Sequence, residues 1–85
     1  MANYDLRIKS SAVRALEELP RNDRVKVARR MRELAHEPRP HGCEKLSGEE
    51  KYRIRQGNYR VIYSIDDDGR SVLIVKIGHR KEGYR

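Results

Sequence analysis

The sequence predicts a small α+β domain, with an N-terminal helical hairpin packed on one face of an antiparallel sheet of about four strands. Two observations on periodicity predict it. Apolar residues recur at spacings of three and four between Ala12 and Ala35, and from Lys51 onward the period switches to two. A third concerns order: the helices come in one block, and helices so collected pack on one sheet face, while strands joined by tight turns pair antiparallel. The element order is strand, helix, helix, strand, strand, strand, within a single domain spanning residues 1–85.

YDLRIKS alternates, with Tyr4, Leu6 and Ile8 on one side and Asp5, Arg7 and Lys9 on the other, which predicts a half-buried strand. Ser10 or Ser11 is placed to cap a helix carrying Ala12, Ala15, Leu16 and Leu19, and Pro20 ends it. A second helix starts near Asn22 or Asp23 and buries Val27, Ala28, Met31, Leu34 and Ala35, with basic residues outward. His36 falls in its last turn, where a cation is favourable, and Pro38 closes it. PRPHGCEKLSGEE is a connector, with Lys45–Leu46 as a brief strand. KYRIRQ, NYRVIYSI and RSVLIVKIG follow as three strands separated by QGN and DDDG turns, and Asp66, Asp67 and Asp68 beside Gly69 read as turn formers. The last strand is the most continuously apolar and is predicted to lie inside the sheet.

Charged residues make up 39% of the chain, and 20 Lys and Arg against 13 Asp and Glu leave a net charge of +7. The excess is uneven: +2 over residues 1–50 and +5 over residues 51–85. A basic tilt in the half that reads as sheet suits a polyanionic partner, nucleic acid or an acidic protein, although charge alone also serves only to keep a protein dispersed. The single cysteine, Cys43, excludes an internal disulfide and has no ligand spacing for a metal, which fits a reduced cytoplasmic compartment. No apolar run approaches the ~18 residues a membrane span needs, and MANYDLRIKS carries charge where a signal peptide is apolar.

Chemistry concentrates in YRIRQGNYRVIY. A two-residue turn at Gly57-Asn58 pairs Gln56 with Tyr59, Arg55 with Arg60, Ile54 with Val61, Arg53 with Ile62 and Tyr52 with Tyr63. Alternation then puts Tyr52, Ile54, Val61 and Tyr63 under the helices and gathers Arg53, Arg55 and Arg60 on the opposite face. Like charges directly opposed destabilise a strand pair by up to ~1 kcal/mol. Two arrangements answer this. The arginines fan into water or pair with Glu49, Glu50 or an acid of the tail, or they converge on a bound anion, which guanidinium grips with two parallel hydrogen bonds. Arg80 and Tyr84 follow the interior strand and favour the second arrangement, and His79 adds a group that moves protons near neutral pH. Cations for phosphates and a ring for stacking make a kit for RNA, to which Lys51, Lys81 and Arg85 add charge.

KLSGEEKYRIRQGNYRVIYSIDDDGRSVLIVKIGHRKEGYR resembles the C-terminal half of RelE-type toxins of the RelE/ParE toxin–antitoxin superfamily. The resemblance rests on a KL-x-G turn, a YRIR strand, a G-x-YRV-x-Y strand, an acidic turn, an apolar strand and a GHR-x-x-x-Y ending; the N-terminal half agrees more loosely. It implies a toxin that enters the ribosomal A site and cuts mRNA by attack of a 2′-hydroxyl on the adjacent phosphate, with no metal or cofactor, and a cognate antitoxin that blocks it. By position it implies catalytic roles for Arg53, Arg55, Arg60, Arg80 and Tyr84. Arg60 and Arg80 would stabilise the charge gathering at phosphorus, and Tyr84 would stack on a base or assist proton transfer. Some relatives carry lysine at positions 53 and 55. Arginine, with a pKa above ~12, is no base at pH 7, which leaves His79 as the first candidate acceptor and Tyr84 and Glu82 behind it. Packing at the strand end is an equal role for His79. Two further readings stand beside the nuclease: a ParE-like inhibitor of DNA gyrase, against which the GHR-x-x-x-Y ending argues, and a catalytically weak homologue that only binds antitoxin or RNA, kept alive by the arginines and by Gly83.

Overall fold

A computed structural model describes residues 3–79. The chain runs β1 (Asp5–Ile8), α1 (Ser10–Glu17), α2 (Arg21–Glu33), β2 (Glu44–Lys45), β3 (Tyr52–Gln56), β4 (Tyr59–Asp66) and β5 (Ser71–His79). The α+β class and the element order agree with expectation. The sheet has five strands rather than about four, in the order β1-β5-β4-β3-β2. It is also mixed: β2 through β5 pair antiparallel, but β1 lies parallel to β5, Asp5 opposite Ser71 and Ile8 opposite Ile74. Tight turns dictate antiparallel pairing only for the strands they join, and two helices separate β1 from the rest of the sheet. As predicted, β5 is interior.

The first helix does not use the predicted serine cap. Lys9 precedes α1 and Pro20 precedes α2, and neither position makes a side-chain capping bond. Pro20, whose fixed φ and missing N–H suit a helix entrance, starts the second helix rather than merely ending the first. Asp23 is engaged elsewhere, accepting a 2.9 Å hydrogen bond from the Tyr59 hydroxyl that ties β4 to the first turn of α2. His36 lies past the end of α2, its Nδ1 2.9 Å from Asn3 Oδ1.

One face of the sheet meets the helices. Ala12, Val27, Met31 and Leu34 from above and Ile54, Val61, Tyr63, Val72, Ile74 and Ile77 from below form the core. No helix of the described chain is long and apolar enough to cross a membrane.

A polar clamp closes the end of the sheet where the β4–β5 turn lies. Gly69 N–H donates to Asp66 Oδ1 at 3.0 Å, the expected turn chemistry. Asp67 does more: it accepts from Arg39 Nη2 at 3.0 Å and from the Tyr4 hydroxyl at 2.8 Å, binding the connector and the N-terminal segment to the turn. These donors hold its carboxyl below the usual range, with the Arg39 hydrogen bond the larger cause. Arg39 also lies over the Tyr52 ring, 5.2 Å from its centre, and Tyr52 stacks on Tyr63 at 5.9 Å.

The buried Tyr63 hydroxyl donates to the Pro38 carbonyl at 2.7 Å, and burial pushes its pKa well above that of an ordinary tyrosine. Because the folded-state pKa is raised, the contribution of this group is whole below the unfolded value of about 10 and is lost as pH rises beyond it. Tyr63→Phe is expected to cost about 1–2 kcal/mol in urea unfolding at pH 7, by leaving the Pro38 carbonyl without its donor. Spectrophotometric titration of the parent should show one tyrosine that ionises only as the protein unfolds.

Candidate nucleic-acid interface

The predicted hairpin register is the observed one: Gln56–Tyr59, Arg55–Arg60, Ile54–Val61, Arg53–Ile62 and Tyr52–Tyr63. Gly57, at φ 60°, takes the positive dihedral required at the first central position of a two-residue type II′ hairpin turn. With Ile54, Val61 and Tyr63 buried under the helices, Arg53, Arg55 and Arg60 share the outer face. Arg55 and Arg60 line a cleft of about 190 Å³ with Gly57, Asn58 and Tyr59 at the hairpin tip.

Arg53 is in part neutralised. Its Nη2 donates to Glu44 Oε1, and the two residues stand directly opposite in the β2–β3 pair. The Arg53 guanidinium holds the Glu44 carboxyl below the usual range, by hydrogen bond first and charge second, with a smaller contribution from Arg55. The observed β2 begins one residue earlier than the predicted Lys45–Leu46 strand, and its register puts Glu44 on the arginine face, opposite Arg53. Glu49 and Glu50, named as partners in the first of the two arrangements, pair instead with Lys51 and Lys45, each at 3.4 Å. Lys51 therefore stands before β3, its charge taken up by Glu49, rather than within the arginine cluster.

His79 does not join the arginines. It is the partner of Tyr59 in the β4–β5 register, and the two rings meet edge-on at 5.0 Å. Tyr59 reaches Asp23 on α2, so both rings are on the helix side, where His79 helps to line a hollow of about 270 Å³ with Ala15, Leu19 and Pro20. Arg80, Lys81, Tyr84 and Arg85 lie outside the described residues. Among the described residues, no group of three or more His, Cys, Asp or Glu side chains is gathered to hold a metal ion.

Two further cations stand on the outer face: Lys76, which the sequence reading missed, and Arg7, on the polar side of β1 as expected. Lys76 is opposite Ile62, and Arg7 is opposite Leu73, which faces Ser64. Strict alternation from Val72 puts Lys76 under the helices. A bulge prevents this: Ile62 pairs with Lys76 but Tyr63 pairs with Ile74, leaving Val75 as the extra residue and turning Lys76 outward. The outer face is thereby graded. Arg55, Arg60, Arg53 and Lys76 occupy the end near the hairpin tip, and Asp66, Ser71 and Asp5 align at the other.

Comparison with known proteins identifies the architecture. The family described as the ParE toxin of the type II toxin–antitoxin system parDE matches residues 6–84. Toxin RelG of Mycobacterium tuberculosis is 33% identical over 86 residues, which is 96% of this chain and 97% of that protein. Toxin RelE of the same organism is 34% identical over 90 residues, 96% of this chain and 87% of that one. Among solved structures, the archaeal RelE–RelB complex from Pyrococcus horikoshii OT3 superposes with a TM-score of 0.84 at 31% identity, covering 98% of this chain and 100% of the matched one. With the family match, the sequence identity and the fold in agreement, the chain belongs to the RelE/ParE family of type II toxin–antitoxin toxins.

Proposed function

We propose that this toxin is a ribosome-dependent endoribonuclease. It acts in the cytoplasm, enters the ribosomal A site and cleaves mRNA through attack of a 2′-hydroxyl on the adjacent phosphate, without a metal or cofactor. The observation that supports this reading is the directly opposed pair Arg55–Arg60, with Arg53 on the same face of the hairpin. Three guanidinium groups there suit a phosphate whose non-bridging oxygens gain charge in the transition state. Arg80 and Tyr84 are proposed to complete the site from the C-terminal segment, with Lys81 and Arg85 adding RNA contacts there and Lys51 at the hairpin's base. A cognate antitoxin is proposed to block it, in line with the relative solved as a RelE–RelB complex.

With His79 turned toward the helices, the arginines act by charge and position. His79→Gln is therefore expected to keep cleavage within a few-fold of the parent, and its pH–rate profile should keep the same shape. Glu44→Gln is expected to tighten RNA binding and steepen its salt dependence, because it returns the Arg53 charge to the face. Fluorescence anisotropy across a salt series measures both effects.

Purified protein added to programmed ribosomes should yield fragments ending in 2′,3′-cyclic phosphate and 5′-hydroxyl. Intact mRNA, under conditions where a related toxin cuts, would overturn the proposal. The matched family's description, naming parDE, favours one competing activity, inhibition of DNA gyrase. Gyrase supercoiling should continue unchanged in the presence of this protein; if it stops, that second reading replaces the first.

A further inference from the structure

We propose that Lys76 is a phosphate contact of the outer face, holding the backbone of single-stranded RNA beside Arg60. The inference rests on the nucleic-acid reading above and extends it to a third strand.

The geometry begins with the bulge. Val75 is the unpaired extra residue of β5, and it turns Lys76 to the side of the sheet where the arginines stand. Two residues on, Gly78 occupies the same face, directly opposite Arg60. The lysine stem leans that way: its Cε lies 3.9 Å from the point a Cβ on Gly78 would occupy. The bare backbone of Gly78 thus gives the aliphatic stem a surface to lie on and carries the ammonium group toward the row formed by Arg55 and Arg60. Lys76 is exposed, and it makes no ion pair among the described residues. The row containing it reads Glu44, Arg53, Ile62, Lys76 across four strands.

Ile62 matters here. It is 8% exposed although it faces away from the helices, so it forms an apolar floor with Arg53 on one side and Lys76 on the other. Adjacent strands are about 5 Å apart, which puts the backbones of Arg53 and Lys76 about 10 Å from each other across Ile62. A floor of this kind, rimmed by cations, fits a strand whose sugars and bases rest between phosphates held at the edges. The acidic residues at the far end of the face, Asp66 and Asp5, repel the same polyanion and confine it to the hairpin-tip end.

The test is anisotropy with a 2′-O-methyl RNA oligonucleotide, which binds but cannot be cleaved, titrated with full-length protein at several salt concentrations. On a single strand each neutralised phosphate contributes about 0.7 to the slope of log K against log salt. Lys76→Ala should lower that slope by about 0.7 and weaken binding a few-fold at low salt. Lys76→Arg should restore both, because the role is a charge at one place rather than a proton acceptor. If Lys76→Ala leaves the slope unchanged while Arg60→Ala lowers it, the lysine is off the path and the proposed function stands. If the parent protein binds with no salt dependence and neither variant alters it, the nucleic-acid reading itself fails.

Discussion

Arg60→Ala is expected to lower mRNA cleavage on programmed ribosomes by about 10²–10³-fold, the usual consequence of removing one preorganised group that stabilises a developing oxyanion. In cells the same substitution should relieve growth arrest. The residue is half-buried on the outer face, apart from the helix-side core, and faces Arg55 across the hairpin. Removing it relaxes a like-charge pair that costs up to ~1 kcal/mol, so the melting temperature should stay within a few degrees of the parent. Loss of cleavage with retained folding places Arg60 in the chemistry. Full toxicity of the variant would show that the cluster is not the working site.

Ile54→Ala should behave in the opposite way. Ile54 is completely buried, opposite Val61, and lies between the two arginines of β3. Truncation of a fully buried isoleucine costs about 2–5 kcal/mol, from lost transfer energy and the cavity left behind. Against a typical domain stability of about 5–15 kcal/mol this is a large fraction. For a domain of this size it corresponds to a fall in melting temperature of roughly 10 °C or more. Urea or thermal unfolding measures it. The folded fraction should bind RNA as the parent does, because every outer-face cation is retained. The pair of variants therefore separates two ways of losing toxicity, one through the site and one through the population of folded protein.

What was legible in the sequence follows from how locally each feature is determined. The hairpin register was readable to the residue because two neighbouring strands, one glycine and strict alternation decide it. The acidic turn was readable for the same reason. The parallel partner of β1 was not, since no short connection constrains a strand whose neighbour, β5, follows five other described elements later in the chain. Nor was the quenching of Arg53, which depends on a two-residue strand whose start differs by one position from the expected one. Lys76 was hidden by Val75, because a bulge reverses the inside–outside assignment of everything beyond it. His79 was read as a proton-moving candidate beside the arginines, with packing at the strand end as an equal role, because it ends the strand expected next to the hairpin. Cross-strand pairing with Tyr59 decides instead, and it puts the imidazole on the other side of the sheet.

The pairing of β1 with β5 also has a consequence for how a cell makes this protein. β1 (Asp5–Ile8) leaves the ribosome roughly sixty residues before its parallel neighbour β5 (Ser71–His79), so its place in the sheet is filled only once β5 has been made. Until then β4 and β1 both await the strand that lies between them, and that strand joins the two ends of the described fold in one step.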